Sequence, residues 1–118
     1  MAIDITQQTS FEQLADILLE LEAALRERQL WEAKPPSLVA LSSQQPFCFD
    51  TLRFTQWLQF VFIERLKAII ECCAALPARS GIVPIAEENF KGVTYDARRI
   101  IYVLAQFDAF IEQQFLYK

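Results

Sequence analysis

Apolar residues recur three and four positions apart over most of the chain, and the prolines and glycines cut that pattern into three long stretches and one or two short ones. In the first, Phe11, Leu14, Ala15, Ile17, Leu18, Leu21, Ala24 and Leu25 alternate with Glu12, Gln13, Asp16, Glu20 and Glu27. This spacing lines one face of an α-helix. Ser10 with Gln13 three residues on predicts the start as a capping box. Pro35-Pro36 predicts the end near Leu30 to Ala33, because proline supplies no backbone donor and disfavours helix in the residue before it.

Ser37 predicts the cap of a short turn through Leu41, followed by a loop from Ser42 to Phe49. A second long helix is predicted from about Leu52 to Leu76. At about 100° per residue from Phe54, only Gln56, Glu64, Lys67 and Glu71 form a polar arc, and Phe60 lies inside it. A helix apolar over most of its circumference is surrounded by other elements, so this one is predicted to be central. Pro77, Gly81 and Pro84 end it and open a connection with one turn at Ile85 to Asn89. Thr94 caps the last helix with Asp96 at its positive end, and its core face reads Ala97, Ile100, Ile101, Val103, Leu104, Phe107, Phe110, Ile111 and Phe115. No run alternates apolar and polar residues as a strand does. The prediction is one all-α domain over residues 1–118, a bundle of three long helices plus one or two short ones.

Composition narrows the function. A chain of 118 residues that is 53% apolar can build one core without metal or disulfide staples. The net charge of −4, with basic residues scattered, argues against a nucleic-acid surface, which needs clustered Lys and Arg. No apolar run approaches the ~18 residues that span a bilayer, and the first ten residues lack the basic and hydrophobic blocks of a signal peptide. The expected location is therefore the cytoplasm, with neither membrane nor nucleic acid as partner. There is no histidine, and the three cysteines, Cys48, Cys72 and Cys73, include no CxxC spacing, so no metal site and no cofactor are expected. Helical phase assigns Cys72 to the apolar face as a small hydrophobe. Cys48, in a loop, is the candidate reactive thiol.

Arg65 is the anomaly, because the same angular count places it within about 20° of Phe54, Leu58 and Cys72 in the middle of the apolar arc. A guanidinium there requires an acid, and Asp50, Glu87 and Glu88 of the flanking loops are the candidates. One reading is a structural ion pair. The other is recognition of a carboxylate or phosphate by the arginine fork. Asp50-Thr51 is predicted to cap the second helix. Trp57 is predicted in the core with its indole N–H bonded, and Trp31 covers the loop. Phe60, with Gln56 and Lys67, is a candidate rim for a partner site.

Ser43-Gln44-Gln45-Pro46-Phe47, Asp50-Thr51, Trp57-Leu58-Gln59 and Ile63 with Arg65 resemble the YqcC-like family of small helical bacterial proteins of unassigned function. The likeness runs from Trp31 to about Glu88, with weaker echoes at Leu76-Pro77, Pro84, Glu87 and Phe107-Asp108. The resemblance implies a compact helical bundle and a relationship with a tRNA pseudouridine synthase, beside which members are often encoded. Where the family has Ile-Pro-Arg, this chain has Ile63-Glu64-Arg65, so a straighter second helix without a proline kink is expected. The candidate binding set is Arg65, Asp50, Thr51, Phe60, Gln59 and Glu87. The functional expectation is a small soluble non-catalytic interaction module or adaptor for an unidentified protein partner, with a second copy of the chain left open. The alternative is a bundle that binds an anionic small molecule through Arg65. An enzyme ranks last, since no nucleophile-plus-base spacing exists.

These assignments predict that Trp57→Ala costs roughly 3–5 kcal/mol. Phe60→Ser should stay within about 0.5 kcal/mol of the parent. Chemical denaturation of the two variants checks both.

Overall fold

The structure is a computed structural model that describes the backbone of residues 5–116 and the side chains of residues 8–114. Among these residues there is no strand. Helix α1 (Ile5–Glu27) leads to a short α2 (Leu38–Leu41) and a 3-10 turn (Pro46–Cys48). A central rod over residues 54–72 follows, made of α3 (Phe54–Trp57), a π turn (Leu58–Phe62) and α4 (Ile63–Cys72). The chain closes with α5 (Ile82–Asn89) and α6 (Arg98–Leu116). The architecture is the all-α bundle that the periodicity predicts.

Helix α1 packs along α6, α5 packs on α6, and α4 packs on α1. Leu14, Leu21 and Leu25 of α1, Ile63 of α4 and Ile100 and Leu104 of α6 are sealed at the centre of one core. Each contributes about 1.5–3 kcal/mol by leaving water. Ile101 is half-buried, and the side chain of Phe115 lies outside the described residues. A train of rings ties the layers together: Phe47 meets Trp57 at 4.8 Å, Trp57 meets Phe62 at 5.5 Å, and Phe62 meets Phe107 of α6 at 4.9 Å.

Several expected boundaries move for identifiable reasons. Ser10 does not cap α1; it lies inside the helix, buried, and its hydroxyl donates to Gln114 Oε1 of α6 at 2.8 Å. The helix stops at Glu27, short of the prolines. Gln29 turns left-handed (φ 60°), its N–H bonds Arg26 O at 2.9 Å, and Leu30 N–H bonds Leu25 O at 2.9 Å. These two bonds form a Schellman motif, which satisfies carbonyls a helix end leaves orphaned. Helix α4 ends the same way, four residues before the expected Leu76: Cys73 is left-handed (φ 51°), and Cys73 N–H and Ala74 N–H bond Ile70 O and Ile69 O at 3.3 and 3.0 Å.

Ser37 does cap α2, accepting from Ala40 N–H at 3.1 Å. Asp50 and Thr51 do not cap the rod. Its first residue follows Arg53, whose N–H donates to Gln56 Oε1 at 2.9 Å, the backward half of a capping box. Pro84 lies in the first turn of α5, where a missing N–H costs nothing, so α5 is longer than the single turn expected. Asp96, not Thr94, caps α6: its Oδ1 accepts from Arg98 N–H at 3.0 Å. The Arg98 guanidinium and then its backbone N–H hold the Asp96 carboxyl well below the usual carboxylate range.

The largest departure is in the rod, which is not the uninterrupted helix expected. A π turn accommodates one extra residue, so everything after Phe62 lags the ideal phase by about 100°. Recounted on that basis, Leu66 falls within about 20° of Phe54 and Arg65 about 80° away. The burial agrees: Leu66 is 3% exposed, whereas Arg65 and Cys72 are exposed. Hence Cys72 is not a core hydrophobe, and the rod is enclosed through Ile63 but presents Glu64, Arg65, Lys67, Ala68 and Glu71 to solvent beyond it. Cys48 also differs from expectation. It is the buried thiol, at 7% exposure, while Cys72 and Cys73 are accessible.

Two stability measurements follow. With the π turn setting the phase, Leu66→Ala costs about 2–5 kcal/mol and Arg65→Ala stays within about 0.5 kcal/mol; an uninterrupted helix reverses that order. Cys73→Gly relieves a left-handed non-glycine residue and raises stability by roughly 0.5–1 kcal/mol in urea unfolding.

Candidate functional site

The six residues of the candidate binding set do not converge. Asp50 Oδ1 accepts from Ser43 Oγ at 2.5 Å, and Thr51 Oγ1 donates to Ala40 O at 2.7 Å. Both bonds brace the lobe formed by residues 37–52 against itself. Gln59 is buried, with Oε1 accepting from Glu32 N–H at 2.9 Å and Nε2 donating to Glu32 O at 2.8 Å. That two-way clamp fastens the segment after α1 to the rod. It also satisfies a side-chain amide that would be costly to bury unpaired. The Glu32 carboxylate takes Arg53 Nη2 at 2.7 Å and Gln56 Nε2 at 3.3 Å on the same side of the rod. Phe60 is half-buried in the π turn, and Glu87 is exposed on α5.

Arg65 receives no acid from Asp50, Glu87 or Glu88. Asp50 is held by Ser43, and Glu88 pairs with Lys91 at 2.8 Å. The interior ion pair expected for Arg65 is therefore absent, since the π turn carries this side chain to the surface, where water solvates it. Trp31 is half-buried beneath the Arg26 guanidinium, 4.9 Å from the ring centre. Trp57 is buried as expected, at 8% exposure, and among the described residues no buried side-chain nitrogen or oxygen is left without a hydrogen-bond partner.

The fold instead assembles a groove of about 440 Å³ between α4, residues 77–81, α5 and α6. Trp57, Phe62, Leu66, Ile69, Ile85 and Phe107 give it an apolar lining, and Arg65 and Arg79 stand at its rim. One wall is pinned by Asp108 of α6. Its carboxylate accepts from Ser80 Oγ, from Ile82 N–H at 3.1 Å and from Val83 N–H at 3.1 Å. The negative charge thereby lies against the positive end of α5, which fixes residues 80–83 to α6.

Charge at the rim is uneven. Arg26, Arg28, Arg53, Arg98 and Arg99 each pair with a carboxylate, whereas among the described residues Arg65 and Arg79 pair with none. Arg79 lay outside the sequence-predicted set. The available signal was local: neither arginine has an acid three or four residues away in the chain.

A second feature is the lobe 37–52, where Leu38, Val39 and Phe49 are 84%, 80% and 67% exposed. Phe47 of the same lobe turns inward onto Trp57, at a left-handed φ of 56°. The lobe is thus anchored by one aromatic while its neighbours face water. Among the described residues no group of His, Cys, Asp and Glu is placed to hold a metal ion, and no helix is long and apolar enough to cross a membrane.

Comparison with known proteins agrees with the fold. The solution NMR structure of YqcC from E. coli superimposes with a TM-score of 0.77 at 30% identity, covering 87% of this chain and 88% of that one. An uncharacterised protein of Haemophilus influenzae is 39% identical over 74 residues, 63% of this chain and 70% of its own length. A protein of Pectobacterium carotovorum named tRNA pseudouridine synthase C is 35% identical over 91 residues, 77% of this chain but 24% of that protein. The chain therefore corresponds to about a quarter of the Pectobacterium protein. The family model DUF446, described as "tRNA pseudouridine synthase C", matches residues 13–110, and with the YqcC fold and sequence likeness this places the chain in the DUF446 family of YqcC-like proteins.

Proposed function

We propose that this chain is a non-catalytic protein-interaction module whose partner is a tRNA pseudouridine synthase, docked through the lobe formed by residues 37–52. The observation that carries this reading is the exposure of Leu38 at 84%, Val39 at 80% and Phe49 at 67% on one braced lobe. Large apolar side chains held in water by a rigid support favour burial against a partner, and such anchors carry most of the energy of an interface. The bonds from Ser43 to Asp50 and from Thr51 to Ala40 supply that support. Preorganisation lowers the entropy lost on docking.

The partner class is supported by the Pectobacterium protein, in which a segment similar to this chain belongs to a larger polypeptide named tRNA pseudouridine synthase C. A segment of this kind held against such an enzyme needs a contact surface, and the exposed apolar side chains of the lobe supply one. The non-catalytic character is supported by the occupation of the acids. Glu22, Glu27 and Glu32 pair with arginines, Asp96 caps α6 and Asp108 caps α5. None of these carboxylates converges with another on the groove as a general acid and base would.

Mixing the purified chain with the tRNA pseudouridine synthase of the same host should give a complex on size exclusion. The triple variant Leu38→Ser, Val39→Ser, Phe49→Ser should melt like the parent and bind at least tenfold more weakly, about 1.4 kcal/mol. No complex with the parent chain, or equal binding by the variant, refutes the reading.

A further inference from the structure

We propose that the groove between α4, residues 77–81, α5 and α6 binds a small molecule with an apolar body and an anionic head, Arg65 and Arg79 holding the head. The inference does not rest on the docking lobe's exposed Leu38, Val39 and Phe49, although Phe47 of that lobe also lines the groove.

Three observations meet at this place. The chain carries an excess of acids, at a net charge of −4, and its other arginines find carboxylates, yet both unpaired arginines line the same groove, Arg79 also bordering a neighbouring hollow with Asp108 and Glu112. Arg65 reaches that rim only because the π turn rotates it out of the core, and Arg79 only because Asp108 fixes residues 80–83 to α6. The two cations are thus positioned by separate tertiary devices.

The lining has the complementary character. Ile69 and Ile85 are half-buried and keep apolar surface open to water, over a floor formed by the buried side chains of Trp57, Phe62, Leu66 and Phe107. At about 440 Å³ the space lies inside the roughly 300–1,000 Å³ range of small-molecule sites, which are mostly apolar with a few convergent polar groups. Planar guanidinium forks match carboxylate and phosphate geometry, and an apolar body beneath them gains burial that a bare anion does not. Apolar lining and anion-seeking rim together select amphiphiles over inorganic anions and over neutral hydrocarbons.

The test is titration of the full chain with decanoate, decyl phosphate, decanol and inorganic phosphate, each below its aggregation limit, followed by Trp57 fluorescence and backbone amide shifts. Decanoate or decyl phosphate should move the signals of Arg65, Arg79, Ile82, Ile85 and Trp57. Decanol and inorganic phosphate should bind at least tenfold more weakly. Preference between the first two identifies the head group. Arg65→Gln with Arg79→Gln should reduce decanoate binding to the level of decanol without lowering the melting temperature, since neither side chain is buried or paired. Shifts confined to other surfaces overturn the proposal, as do equal binding of decanol and decanoate or an unchanged affinity in the double variant. Binding of an acidic amphipathic peptide in the groove with no response to either amphiphile also overturns it and assigns the groove to a protein.

Discussion

One extra residue in a single helical turn governs what the rest of this molecule presents. Without the π turn at Leu58–Phe62, Arg65 would point into the core and Leu66 away from it. A buried guanidinium without an acid costs several kcal/mol, and of the candidate acids Asp50 and Glu88 are already held elsewhere while Glu87 is exposed on α5. The turn resolves the conflict by rephasing the helix. Leu66 then joins Leu58 and Ile63 in the core, and Arg65 is left in water at the edge of the groove.

Polar side chains do the positioning that apolar burial leaves unspecified. Hydrophobic contact is non-directional, so it holds α1, the rod and α6 together without setting the connections between them. Gln59 sets one of these, clamping the backbone of Glu32 in both directions. Asp108 sets another by capping α5 from a neighbouring helix, and Ser10 joins α1 to Gln114 of α6. Each is a residue type that sequence reasoning assigns to a helix cap, a surface or a binding set. In this fold they are the fastenings between elements, and the two surfaces with functional promise lie beside them.

The candidate site was only partly legible. Arg65 stood out because its type contradicts its angular position, and that contradiction was real even though the inferred ion pair was not. Arg79 had no such signal, since a connection carries no periodicity against which an arginine can look misplaced. Leu38, Val39 and Phe49 carry no signal in the sequence either, since a short turn and loop between prolines have no periodicity that separates an exposed apolar residue from a covered one. The family resemblance, carried by residues 43–47 and 57–59, marks residues now seen to brace the lobe and clamp the rod.

By itself the sequence determined the helical class, the stripe on α1, the core face of α6, the cap at Ser37 and the burial of Trp57. All of these follow from spacing along the chain and from the local chemistry of serine and proline. Only the tertiary structure decided the phase beyond Phe62, the caps at Asp96 and Asp108, the burial of Cys48 and the placement of Arg65 and Arg79 on one groove. The physical reason is that angular error accumulates along a helix. A one-residue shift repeats in every later position, and what selects it is how well leucine and arginine fare against neighbours distant in the chain.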